Sequence, residues 1–170
     1  MIGLRGRLVR TRSCGQALTE FALVVPLLLT FLLGIIQFGF LFGSHIGLTN
    51  ATREIARYAS TAIINQSTML TDQINMVMPR SVPAYDPAFA TVTTSYCWYS
   101  DPGTPMTYSY RVMISATYRH PLWIPLVGEL VDQIDGTDDS RFRTGAVEEM
   151  RLETPDSNIL LLGVTPCGSA

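Results

Sequence analysis

Two histidines are the side chains of this sequence best suited to acid–base chemistry near neutral pH. His45 and His120 stand at no recognised motif spacing, and the sequence has no CxxC, HExxH or glycine-rich phosphate loop. A partner that only folding brings close is left open. We therefore expect a protein that is not an enzyme and that takes no cofactor and no small-molecule substrate.

A run of acids between positions 132 and 139 is the second candidate for chemistry. Its members are Asp132, Asp135, Asp138 and Asp139. Clustered carboxylates can bind calcium, but these do not follow the pattern of an EF-hand loop. We interpret the run as a solvated loop and predict no metal site.

Gly15 and Glu20 form the most unusual pair of residues, because they come directly before a long uncharged run. A carboxylate at the edge of a bilayer is costly, so such a residue indicates a function. A glycine without a side chain fits a narrow protease subsite. The simpler alternative for Glu20 is an acid favoured by the dipole at a helix N-terminus.

The uncharged run extends over 22 residues, from Phe21 to Phe42, and its only polar side chains are Thr30 and Gln37. As a helix it is roughly 33 Å long, which is enough for a bilayer core of about 30 Å. A buried core helix of this length would keep a polar stripe. The sequence therefore predicts one transmembrane span at 21–42.

Charge distribution orients this span. Four arginines precede it, at Arg5, Arg7, Arg10 and Arg12, and the next one is Arg53. Excess positive charge stays inside, so we expect a cytoplasmic leader at 1–15 and a periplasmic or extracellular C-terminal domain on the bacterial inner membrane. A signal peptide would have a shorter apolar stretch. The acidic remainder argues against nucleic acid as a partner.

Helical periodicity continues beyond the span. Apolar residues recur at spacings of three or four, at Leu48, Ala51, Ile55, Ala59 and Ala62. We predict one helix over 16–64, whose second half packs on an outer domain at 65–170. Glycines repeat every four residues at Gly39, Gly43 and Gly47, a spacing that favours close helix–helix packing; local flexibility is the alternative.

The outer domain is predicted to be α+β, with a small antiparallel sheet packed on the long helix. Residues 108–119 alternate between apolar and polar side chains, as in a strand with one buried face. Residues 91–99 alternate as well, and the turn residues between them indicate a hairpin. A third strand is predicted near 146–153, and a short helix over 68–78 that Pro79 ends.

Residues 15–60 resemble the TadE-like family of tight-adherence (Flp) pilus biogenesis proteins. The resemblance is carried mainly by Gly15, Ala17, Glu20, Phe21, Ala22, Pro26, Gly34, Phe38, Gly39, Asn50, Ala51, Arg53, Glu54, Ala56, Arg57 and Ala59. Phe21 stands where the major Flp pilins carry tyrosine, and the C-terminal region is much longer than theirs.

This resemblance implies a minor pilin or pseudopilin with three kinds of partner. A prepilin peptidase would cut between Gly15 and Gln16, and Glu20 would act in assembly with other pilin-like subunits and the tight-adherence machinery. The alternative is a signal-anchored envelope protein with a periplasmic binding or sensor domain, which needs neither Gly15 nor Glu20.

The predicted topology separates the three cysteines. Cys14 lies on the reducing cytoplasmic side, whereas Cys97 and Cys167 lie outside, where disulfides form and persist. We therefore expect a Cys97–Cys167 disulfide; two unpaired thiols are the alternative.

Overall fold

The computed structural model describes residues 14–61, 67–100, 108–136, 138–153 and 164–167. In chain order the elements are helix α1 (Cys14–Thr61), helix α2 (Ser67–Ser81), a 3-10 turn (Pro87–Phe89), strand β1 (Ala90–Ser100), strand β2 (Tyr108–Pro121), helix α3 (Pro125–Asp135), strand β3 (Arg141–Arg151) and strand β4 (Thr165–Pro166). The predicted α+β class, with a long N-terminal helix and a small antiparallel sheet, is confirmed.

The chain divides into two compact units at the Ile36–Gln37 bond, inside α1. Residues up to Ile36 form the first unit. The second unit holds the rest of α1 and every other element. Its sheet has the strand order β3-β2-β1-β4, in which β3, β2 and β1 are antiparallel and β4 runs parallel to β1.

The core of the second unit lies between α1 and one face of the sheet. From α1 it takes Leu48, Ala51 and Ile55, all fully buried. From β2 it takes the alternate residues that the sequence pattern singled out, namely Val112, Ile114, Ala116 and Tyr118, which are also fully buried. Alternation sends these side chains to one face of the strand, so a single stripe of helix covers them. Ala62 lies outside the described residues.

Two sequence expectations about this unit are wrong. Helix α2 does not end before Pro79 but continues to Ser81, and the Met78 carbonyl accepts from the Val82 amide at 3.0 Å. A proline this close to the last turn disturbs little of the helix that follows it. The run at 132–139 is not all loop, because Asp132 and Asp135 belong to α3, which ends at Gly136 with a left-handed backbone (φ 71°).

Candidate functional site

The Gly15–Gln16 peptide bond lies in the first turn of α1, which begins at Cys14. Both residues are exposed, and a Cβ added to Gly15 would meet nothing within 4 Å. Among the described residues, none therefore covers this peptide bond.

Glu20 lies one turn further along α1 and is exposed. Its Oε1 accepts a hydrogen bond from Gln16 Nε2 at 3.2 Å, and Thr19 Oγ1 donates to the Gln16 carbonyl at 2.8 Å. Within the part of the chain that the structure describes, Glu20 takes part in no ion pair. The carboxylate therefore remains available to a positive group from another molecule.

The segment of α1 that follows Glu20 is apolar on every side. Its large side chains are exposed all around the helix, including Phe21, Leu23, Leu27, Leu28, Phe31, Leu32 and Ile35. A helix that is hydrophobic all round is stable only inside a large core or a membrane. Among the described residues, one helix is long and apolar enough to cross a membrane, and it is this one. It is compatible with a single-pass membrane anchor.

Gln37 begins the second unit and binds the loop that joins β2 to α3. Its side chain is almost fully buried; Oε1 accepts from the Trp123 amide at 3.1 Å, and Nε2 donates to the Pro121 carbonyl at 3.4 Å. A buried amide must find such partners to offset its desolvation. The sequence signal for this contact is a polar residue inside an apolar run.

Both histidines take part in hydrogen bonds inside the second unit. Ser44 Oγ and His120 Nδ1 are 2.9 Å apart, and His45 Nδ1 lies 2.8 Å from Thr144 Oγ1. Burial lowers the pKa of His120 below its usual value, so the ring is neutral near pH 7. Ser44 and His120 are both fully buried, so a substrate cannot reach this serine–histidine pair.

The three glycines predicted to form a packing stripe have three different environments. A Cβ on Gly39 would meet nothing within 4 Å, and one on Gly43 would make ordinary contact with Pro83 at 3.7 Å. At Gly47 it would collide with the Ser81 carbonyl group and lie 3.3 Å from the Val82 Cα. Gly47 therefore packs against the end of α2 in the same chain. Packing of Gly39 and Gly43 on another helix stays a prediction.

We expect Gly47→Ala to destabilise the second unit by about 2 kcal/mol, because the backbone at Ser81 must move to admit a methyl group. Gly39→Ala is the matched control, since its methyl group enters open space and alanine favours the helix. Urea unfolding of the full chain in detergent measures both variants. Equal midpoints for the two would contradict the close approach at Gly47.

Cys97 and Cys167 are joined by a disulfide, with their Cα atoms 4.9 Å apart. The bond fastens β4 beside β1, and the Cys167 amide donates to the Trp98 carbonyl at 3.0 Å. Glu149 lies close to both sulfur atoms, and the three groups together have the spacing of a metal site. Because the sulfurs are bonded to each other, they offer no thiolate to a metal ion.

A comparison with known protein families bears on the part of α1 that holds Gly15, Glu20 and the apolar segment. Residues 15–57 match the family model described as TadE-like protein. No curated protein and no solved structure matches the chain. The matched range begins at Gly15 and contains Glu20 and the whole apolar segment. It ends in the part of the same helix, α1, that packs on the sheet. Residues 15–57 are therefore similar to the TadE-like family.

Proposed function

We propose that this protein is a minor pilin or pseudopilin of a tight-adherence pilus, and that a prepilin peptidase cuts it between Gly15 and Gln16. The observation that carries the proposal is the order of parts in α1. An exposed glycine near the start of the described helix is followed by an exposed carboxylate that makes no ion pair with another described residue, and then by a helix that is apolar on every side. Within a TadE-like segment, these parts match the requirements of a processed, membrane-extracted subunit.

The proposed topology places residues 1–15 in the cytoplasm as a basic leader, 16–64 in a long helix that crosses the inner membrane at 21–42, and 65–170 in the periplasm or outside the cell. Four leader arginines support this orientation. A disulfide in the outer domain supports it as well, because such bonds persist in oxidising compartments.

Cleavage is the step that tests this proposal most directly. In a host that expresses the peptidase, the mature protein should begin at Gln16, with the leader and its four arginines removed. Gly15→Leu should leave the precursor uncut, because the bulkier side chain does not fit a subsite for glycine. Gly34→Leu is the matched control, since Gly34 lies on the same helix and a Cβ there also meets nothing within 4 Å.

Intact mass of the membrane-extracted protein measures the outcome. A mass that begins at Met1 in the wild-type protein, with the peptidase present and active on another substrate, would overturn the proposal. It would favour a signal-anchored envelope protein, which needs no cut at Gly15.

A further inference from the structure

Trp123 is a large apolar side chain that the fold leaves in contact with solvent. It lies in the loop between β2 and α3, and 55% of its surface is exposed. The Trp123 amide donates to Gln37 Oε1, which fastens the loop backbone to α1. The indole also meets the Phe40 ring edge-on, with centroids 4.9 Å apart. The fold therefore holds an exposed tryptophan against α1.

The neighbouring turn of α1 presents further aromatic surface. Phe38, Phe40 and Phe42 are 56%, 37% and 66% exposed, respectively. Together with Trp123 they form an aromatic collar, which we define as these four residues. Tryptophan is enriched at membrane–water interfaces, where its apolar body and its N–H group are both satisfied.

Helix length places this collar near a membrane surface, if α1 crosses the bilayer as in the proposed function. Residues 21–36 supply only about 24 Å of helix, which is less than a hydrocarbon core of about 30 Å. The core must therefore extend past Ile36 toward the turn that holds Phe38 and Phe40. The Trp123 indole, which contacts the Phe40 ring, then lies where the hydrocarbon meets the lipid headgroups.

We infer that the aromatic collar binds the outer leaflet of the membrane and that Trp123 inserts into its headgroup region. The partner is the lipid bilayer itself. The helix that follows the loop, α3, contains acids but no basic residue, and the four collar side chains are uncharged, so the contact that the collar itself makes is apolar. The outer domain thus rests directly on the membrane, without a spacer.

Quenching of tryptophan fluorescence by brominated lipid tests this inference. The chain has two tryptophans, so Trp98→Phe leaves Trp123 as the only tryptophan. The full-length variant is placed in phosphatidylcholine nanodiscs that carry bromine near the carbonyl end of one acyl chain. We expect the Trp123 emission to fall to roughly half of its value in unbrominated lipid, and to fall less with bromine near the methyl end.

Trp123→Phe supplies the matched control, because it leaves only Trp98. Trp98 pairs with Tyr110, which lies eleven residues before Pro121 on β2. At about 3.3 Å per residue that is roughly 36 Å of strand, so bromine should leave the Trp98 emission unchanged.

Trp123 emission that bromine does not change would overturn the inference. If that unquenched emission also moved to shorter wavelength as the protein-to-lipid ratio rose, a second copy of the chain would be the occupant of the collar. The measurement needs neither cleavage at Gly15 nor a filament. A failed pilus assay with normal quenching would therefore reject the proposed function and leave the membrane contact standing.

Discussion

Replacing Glu20 by glutamine should leave the protein folded and inserted in the membrane but abolish pilus biogenesis. Glutamine keeps the size of the side chain and can still accept from Gln16, the partner of Glu20 on its own helix. What the variant loses is the negative charge. We expect that charge to pair with the new N-terminal amine of a neighbouring subunit, since each charge alone is costly in lipid.

Two measurements separate assembly from folding. Membrane extraction with alkaline carbonate and formation of the Cys97–Cys167 disulfide report insertion and folding, and both should match the wild-type protein. Counting of filaments by electron microscopy reports assembly and should give none. Glu54→Gln is the control, because Glu54 is an exposed acid on the same helix but outside the apolar segment. Normal piliation of the Glu20→Gln strain would contradict the assigned role.

Removal of the disulfide should have the largest effect on stability. The bond closes a loop with a sequence separation of 70 residues. In the chain-entropy account, a cross-link over a loop of this size stabilises the folded state by about 4 kcal/mol. That is a large fraction of the roughly 5–15 kcal/mol that is typical of whole domains. We therefore expect the Cys97→Ser, Cys167→Ser double variant to unfold at a much lower urea concentration.

The control for this prediction is Cys14→Ser, because Cys14 takes no part in the disulfide. It should unfold like the wild-type protein. Treatment of the wild-type protein with reductant should reproduce the double variant. If reduction left the unfolding midpoint unchanged, the bond would not be stabilising the domain in the way that loop closure requires.

Local patterns in the sequence predicted the parts of the fold that depend on neighbouring residues. The alternation from Tyr108 onward gave β2, and the spacing of Leu48, Ala51 and Ile55 gave the buried face of α1. The sequence does not predict helix α3, because its closely spaced acids are typical of a solvated loop. Strand β3 begins at Arg141 rather than near 146, because its first residues are polar and are set by pairing with β2.

The candidate site likewise has residues that the sequence identifies and contacts that it does not. Gly15 and Glu20 could be identified because the chain itself places them beside the apolar run. The partners of Gln37 could not, since they lie 84 and 86 residues away in the sequence. For Gly47, the sequence indicated close packing, but the nearest surface is the carbonyl group of Ser81 rather than another membrane helix. The glycine spacing indicates that another part of a protein packs closely on this helix. Only the folded structure identifies that part as the backbone at Ser81.

The two edges of the sheet differ in how they resist pairing with a further strand. On one side β3 carries charged side chains at Arg141, Arg143, Glu148, Glu149 and Arg151, and such charges discourage a further strand from adding there. On the other side, β4 covers β1 at only two residues, Cys97 and Trp98. That cover depends on the disulfide. Reduction would therefore free Cys97 and Trp98 as well and lengthen an edge whose other residues, such as Thr91, Thr93 and Ser95, do not pair with β4, and the protein would become more prone to aggregation through β1.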